Sequence, residues 1–235
     1  MRILAWSGPR NLSTAMMYAF GNRPDCAVSD EPFYAAYLAA TGLDHPMRAE
    51  ILAAQPSDPA AVARDCAGPP PGGRAHWYQK HMCQHMLDAT PLDWAEGARH
   101  LFLIRHPARV IASYARKRER PTMADLGFAR QEALFDRFGG IVLDSAEIRA
   151  RPEAALRRLC DALGLSFDPA MLRWPPGGHA ADGVWAPHWY HDVHRSTGFA
   201  DAEGPLPELD GDHAALCRAA MPHYRRLVEA AEATP

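Results

Sequence analysis

The sequence predicts an α/β fold with a central parallel sheet of four or five strands flanked by helices, and three observations carry that prediction. Short apolar runs of strand length alternate with segments of helical period along most of the chain, the pattern of parallel βαβ units. Several of these runs stop abruptly at Gly, Pro, Asp or Arg, at the strand ends where open parallel sheets bind their ligands. A chain of 235 residues with 48% hydrophobic content is also long and apolar enough to bury a substantial core.

The length fits one large domain. Residues 1–235 are therefore expected to form a single unit, with an insertion at about 40–73 and an irregular aromatic and histidine-rich loop at about 174–199. A net charge of −3 supplies no global basic field, which argues against a nucleic-acid partner. No apolar run approaches the ~20 residues of a membrane span, so no membrane partner is expected either. Any anion site must be local. The first apolar run stops after four residues and Arg10 breaks the next stretch, unlike a secretory signal. Five cysteines (Cys26, Cys66, Cys83, Cys160, Cys217) are widely spaced without a C-x-x-C pair, as reduced thiols in a cytoplasm would be. Nothing in the sequence indicates an oligomeric state.

The first element is the strand Ile3 to Trp6, which meets the turn cluster Ser7-Gly8-Pro9. Apolar residues then recur with helical spacing at Leu12, Ala15, Met16, Ala19 and Phe20. In a strand–loop–helix of this kind, loop amides and the unpaired N–H groups of the first helical turn converge on one point that favours negative charge. Residues 7–14 thus read as a phosphate cradle, with Arg10 as a permanent cation and Ser13 and Thr14 as hydroxyls on the first turn. The triphosphatase pattern G-x-x-x-x-G-K-S/T is absent, which disfavours a magnesium-triphosphate site. On these residues alone, an ordinary strand–turn–helix without a ligand stays open.

A short strand at Ala27-Val28-Ser29 runs into Asp30-Glu31-Pro32, which places two carboxylates on the same rim. Glu31 is a candidate general base, or simply an acid favoured at a helix start that Pro32 would open. Residues 40–73 are rich in Pro and Gly, with a short helix from Pro59 to Cys66 led by Ser57 or Asp58; they either cover a site or form a plain surface connection. The strand His76 to Met82 ends among Lys80, His81 and His85, which can serve a site, or can be a snorkelling lysine and a structural imidazole.

The strand Arg99 to Ile104 leads directly into Arg105-His106-Pro107 and a helix carrying Val110, Ile111, Ser113 and Tyr114. Arg105 at that strand end can fork onto a second phosphate, with the Ser113 hydroxyl about two turns further on. Arg116, Lys117, Arg118 and Arg120 read as a solvated helix end. Helical patterning resumes from Met123 to Phe138, followed by a strand at Ile141 to Asp144 and an amphipathic helix through Ile148, Leu156 and Leu163 that stops at Gly164. Residues 174–199 lack helical or strand period and read as an ordered loop folding over a planar ligand. His188, His191 and His194 recur at intervals of three, but no carboxylate or thiol stands at recognisable ligand spacing, so no metal is assigned. A last amphipathic helix, Asp212 to Ala230, is expected to kink at Pro222.

With both rim motifs placed, the chain resembles the sulfotransferases that use 3′-phosphoadenosine 5′-phosphosulfate (PAPS). Ser7-Gly8-Pro9-Arg10-Asn11-Leu12-Ser13-Thr14 is similar to the family's 5′-phosphosulfate loop, and Arg105 through Ser113 to its 3′-phosphate strand–helix, R-x-P-x-x-x-x-x-S. The helix Pro152 to Leu165 resembles one that comes after a later strand of the family, so the likeness spans about residues 1–165. The resemblance implies a P-loop-like three-layer fold and in-line sulfuryl transfer to a hydroxyl or amine of a small-molecule acceptor. It also implies release of 3′,5′-adenosine bisphosphate (PAP) and no obligatory metal. Arg10 and fixed amides suit the charge that develops on the leaving group.

For the base, one branch of the family has a glutamate after strand two, the place of Glu31, whereas another has a lysine and a histidine on strand three. Lys80 and His81 are adjacent here, so their side chains should face opposite sides of the sheet. The family's C-terminal R-K-G cofactor loop is echoed only by Arg195-Ser196-Thr197-Gly198. The alternatives are a magnesium-dependent phosphotransferase or hydrolase on the same scaffold, and a nucleotide-binding protein without catalysis.

Overall fold

The computed structural model describes residues 1–116 and 120–232. Strand β1 (Arg2–Ser7) passes through a tight loop into helix α1 (Ser13–Gly21), then β2 (Cys26–Asp30) and α2 (Tyr34–Thr41). Helices α3 (Arg48–Ala54) and α4 (Pro59–Ala67) precede β3 (His76–Met82), followed by β4 (Arg99–Ile104) and α5 (Pro107–Ala115). Next come α6 (Met123–Leu126), α7 (Phe128–Phe138), β5 (Ile141–Asp144), α8 (Ser145–Ala150) and α9 (Pro152–Leu163). Two short helices, α10 (Ala186–Trp189) and α11 (His191–Arg195), lead to the long α12 (Gly211–Glu232).

The strands form one all-parallel sheet in the order β2-β3-β1-β4-β5. The chain leaving β1 turns toward the β2 edge, whereas the chain leaving β4 turns toward β5. Diverging connections of this kind open a crevice beyond the carboxyl ends of the strands.

Side-chain alternation divides the core into two halves. Ile3 and Ala5 of β1 join Tyr78, Leu101 and Leu103 on the face covered by α1 and α9. Leu4 and Trp6 join Phe102 and Ile104 on the opposite face, under α4, α7 and α12. Burying one such Leu, Ile or Phe stabilises by about 1.5–3 kcal/mol, so packing on the two sheet faces, more than local propensity, holds the flanking helices. The result is the three-layer arrangement expected from the sequence, with five strands.

Several boundaries differ from the sequence reading, each for a local reason. The helical stretch 123–138 is broken at Gly127, whose left-handed φ of 71° favours glycine. A Thr122–Asp125 capping box closes the short first piece on its N-terminal side. The helix expected around Ile148 to Leu163 is two, because Arg151 leaves the helical region ahead of Pro152. Within residues 40–73, Asp58 caps α4 as one of the two candidates, while α3 carries no period long enough to read. The segment expected to be wholly irregular contains α10 and α11, each under two turns. Helix α12 runs on through Pro222. Lys117 and Arg118 of the basic helix end lie outside the described residues. Among the described residues, no helix is long and apolar enough to cross a membrane.

Candidate functional site

A cavity of about 360 Å³ opens at the carboxyl ends of the strands. The connection after β1 contributes Pro9 to Thr14, the one after β2 contributes Glu31, β3 contributes Lys80 and Met82, and the connections after β4 and β5 contribute Arg105 and Arg149. Each strand end therefore delivers a polar or charged group to one space.

On one side the groups are cationic. Arg10 and Leu12 both adopt left-handed backbone, with φ of 66° and 60°. Alternation of this sort turns successive amides toward a common centre, as in anion-binding nests. Helix α1 begins there with no side chain capping its N-terminus and no acid in its first turn, which leaves its positive end open to a ligand. Gly8 fits the bend because a Cβ there would stand 2.5 Å from the Leu126 carbonyl oxygen. Asn11 donates to the Leu103 carbonyl at 3.0 Å and so fastens the loop to β4. The two sequence motifs meet directly: Arg10 Nε donates to Ser113 Oγ at 2.8 Å, and Arg105 donates to the Arg10 carbonyl at 2.8 Å. Arg105, Arg109 and Arg149 also converge on Glu203, from the segment before α12.

On the other side stands a buried cluster of opposite character. Lys80 Nζ donates to Asp30 at 2.8 Å, to Glu31 at 2.6 Å and to the Tyr190 hydroxyl at 2.6 Å. Tyr190 also accepts from Trp185 Nε1 at 2.9 Å and donates to Asp30 at 2.8 Å. Burial works against the Lys80 ammonium, but the attraction of Asp30 and Glu31 prevails and raises its pKa. Lys80 therefore stays charged. Burial raises the Glu31 carboxyl above the usual carboxylate range, with Lys80 opposing the shift and Asp30 adding to it. With Glu31 ionised the Asp30–Glu31–Lys80 trio carries one net negative charge in a buried place, and taking up a proton cancels it. That makes Glu31 a stronger base than a free glutamate. Glu31 is also held at φ 42°, an unfavourable backbone for a non-glycine residue that costs on the order of 1–2 kcal/mol. Its N–H donates to the Lys80 carbonyl at 2.9 Å, which helps to fix that conformation.

His81, the second candidate base, lies on the opposite face of β3 from Lys80 and does not line the cavity. Its ring stacks on Trp6 at 4.8 Å between centroids and packs against Phe33 and Trp94, and Nε2 meets the Gln79 side-chain oxygen at 3.1 Å. Burial, with smaller contributions from His100 and Lys80, pushes its pKa down to about 3. In this structure His81 is a neutral core imidazole. Arg195 also stands apart from the cavity wall: its side chain is 77% exposed and pairs with Asp192 at 2.9 Å. Its neighbours Ser196 and Gly198 line the cavity instead. Ser7 and Gly8 lie behind the wall, with Ser7 Oγ facing Met82 Sδ at 3.8 Å.

The remaining wall is aromatic. His85 is sandwiched between Tyr34 and Tyr37, at ring distances of 4.6 and 4.7 Å, and burial drives its pKa well down, so it too is neutral. Tyr114, Trp189, Tyr190 and Phe199 complete this wall. Sequence reasoning singled out the aromatic tail as a covering segment but missed Tyr34, Arg149, Tyr190 and Glu203. Tyr34 lies three residues after Glu31 at the start of α2, a spacing that would have shown it. Arg149 and Glu203 have no local signal, because they meet Arg105 only through tertiary folding.

The sequence model of the family described as "Sulfotransferase domain" matches residues 1–231. Two Arabidopsis thaliana proteins, called branched-chain-amino-acid aminotransferase-like proteins 1 and 2, are 35% and 34% identical to it over 230 residues. The match covers 96% of this chain and 41% of each relative, so the chain spans about two fifths of their length. Among solved structures, a sulfotransferase from Alicyclobacillus acidocaldarius superposes with a TM-score of 0.55 at 15% identity, covering 98% of this chain and 95% of its own. The sulfotransferase domain of a Synechococcus olefin synthase gives 0.53 at 17% identity, covering 93% and 94%. The sulfotransferase domain from the curacin biosynthetic pathway gives 0.51 at 14%, covering 93% and 96%. At such identities the likeness to these structures is one of fold.

Proposed function

The chain belongs to the sulfotransferase domain family, and from that premise we propose that it transfers a sulfuryl group from PAPS to a hydroxyl or amine of a small-molecule acceptor. In this proposal residues 1–235 act as one catalytic domain in a cytoplasmic setting, where the five free cysteines need no partner.

The residues fit a nucleotide with two anionic ends. One end would meet the amides of residues 9–14, the open N-terminus of α1 and Arg10; the other would meet Arg105, with Ser113 beside it. The observation that carries the reading is the direct contact between the two motifs, since Arg105 and Arg10 share a hydrogen bond although 95 residues separate them. The Arg105 cluster moreover already holds a carboxylate, Glu203, so its donors are arranged for an anion. PAPS supplies the activated sulfuryl group and leaves as PAP.

The protein's own contribution is charge placement and proton transfer. Arg10 and the loop amides stabilise the negative charge that develops on the departing phosphate oxygen without having to reorganise. Glu31 takes the acceptor's proton as the new S–O or S–N bond forms, and Lys80 holds its carboxylate in place at 2.6 Å. Lys80 is thus a positioning counter-ion, not the base. His45, from the 40–73 excursion, and Trp189, from the 174–199 segment, line the acceptor side in this reading.

Incubation with ³⁵S-labelled PAPS and a panel of phenols, alcohols and amines tests the proposal. Label should move to an acceptor without added divalent metal, and replacement Glu31→Gln should lower kcat by about 10²–10⁴-fold, the range for a lost general base. Absence of transfer together with absence of PAP binding would refute it.

A further inference from the structure

Arg105 and Arg149 line the end of the cavity, and just behind its wall they and Arg109 close on an anion that the protein itself supplies. Glu203 accepts from Arg105 Nε at 2.8 Å and from Arg149 at 3.1 Å, and its second oxygen pairs with Arg109 Nε at 2.8 Å. The Glu203 side chain is 4% exposed, although Ala202, Gly204, Pro205 and Leu206 around it are all exposed and residues 201–210 form no helix or strand. The segment is fastened where the carboxylate enters the cluster, together with the Asp201 carbonyl, which accepts from Arg149 at 2.7 Å, and the Gly204 carbonyl, which accepts from Arg109.

Charge and geometry do not balance at this spot. Three guanidinium groups carry three positive charges and present up to about fifteen N–H donors, against one carboxylate with a single charge and two oxygens. A phosphate monoester brings up to two charges and three terminal oxygens, and forked guanidinium groups suit it better than a carboxylate. Burial disfavours the Arg105 cation, Glu203 favours it, and Arg149 and Arg109 again disfavour it. A second negative charge would therefore be welcome.

We infer that the Arg105–Arg109–Arg149 cluster is a phosphate-monoester site and that Glu203 is its built-in competitor. The 3′-phosphate of the nucleotide displaces Glu203 and frees the 201–206 segment. The inference rests on the nucleotide reading above for the identity of the arriving phosphate. It assigns Arg109 and Arg149 to phosphate binding beside Arg105. It also makes nucleotide affinity the intrinsic affinity reduced by the fraction of molecules in which Glu203 is seated.

The test compares PAP with 5′-AMP, which lacks the 3′-phosphate, by titration calorimetry on the full chain and on Glu203→Gln. The variant should bind PAP about tenfold more tightly or better, with AMP affinity unchanged, because only the 3′-phosphate competes with Glu203. In the unmodified chain, a protease that cuts after glutamate should cleave the Glu203–Gly204 bond faster when PAP is present and no faster with AMP. This second readout decides the matter if the variant does not fold. Unchanged or weaker PAP binding by Glu203→Gln, equal tightening for PAP and AMP, or protection of the bond by PAP would overturn the inference and leave the nucleotide reading standing. If neither form binds PAP, the nucleotide reading itself falls and the inference with it.

Discussion

Replacing Lys80 by methionine removes the one cation from the buried trio with little change of volume. Its contacts to Glu31 and Asp30, at 2.6 and 2.8 Å, are each worth about 6 kcal/mol of attraction at an effective dielectric of ~20, most of which offsets the desolvation of three charges. The variant leaves two carboxylates side by side with no counter-ion and almost no water. Breaking a buried pair in this way costs about 3–5 kcal/mol, which for a chain of this size lowers Tm by about 6–20 °C. The pH dependence has a definite sign. Without Lys80, burial and repulsion from the neighbouring carboxylate raise the folded-state pKa of Glu31 still further above its unfolded value. Such a group favours the fold below the unfolded pKa and destabilises it as pH rises through the folded pKa. The deficit of Lys80→Met relative to the native chain should therefore be largest near pH 8 and shrink as pH falls toward 5. Melting curves followed by circular dichroism across that range measure it, and Lys80→Met with Glu31→Gln should recover part of the loss. A Tm change under about 2 °C, or a deficit that grows as pH falls, would refute the view that Lys80 neutralises this cluster.

Other consequences are as specific. Arg105→Ala should weaken PAP binding by about 1.5–3 kcal/mol by calorimetry, the range for a hydrogen-bonded charged partner, and a loss below about 0.3 kcal/mol would remove Arg105 from the site. Because burial raises the Glu31 pKa, kcat/KM should rise with pH through a limb above the usual carboxylate range, as the carboxyl loses its proton. The limb should disappear in Glu31→Gln. His81→Leu should change stability but leave that limb where it is; loss of the limb would make His81 the base after all. Gly8→Ala sets a Cβ 2.5 Å from the Leu126 carbonyl and should destabilise by about 1–3 kcal/mol in urea, with weaker PAP binding because the loop must move.

The parts of the fold that were legible in the sequence are those written locally. The apolar run from Ile3 to Trp6 and the turn at Ser7 to Pro9 announced β1 and the loop, and Arg105-His106-Pro107 announced the passage from β4 into α5. Strand periodicity even stated that Lys80 and His81 face apart, but not which of them looks into the cavity. That depends on Asp30, Glu31 and Tyr190 arriving on one side and on Trp6, Phe33 and Trp94 on the other. The arginine cluster was half legible: Arg105 sits at a strand end, whereas Arg149 and Glu203 are separated from it by 44 and 98 residues and carry no pattern. Arg195 rests only on an echo of the family's R-K-G loop in Arg195-Ser196-Thr197-Gly198, and in the fold its side chain lies in solvent, paired with Asp192 one helical turn earlier. Helices α10 and α11 escaped because fewer than two turns cannot display a period.

In the proposed function the loop after β1 and the arginine after β4 grip the two phosphate ends of one adenine nucleotide. A crystal structure of the chain soaked or grown with 3′,5′-adenosine bisphosphate measures it directly. The 5′-phosphate is expected on the amides of residues 9–14 and the 3′-phosphate on Arg105, with free space beside Glu31 for an acceptor. A nucleotide bound elsewhere, or one that meets the loop while its 3′-phosphate points away from Arg105, would contradict it.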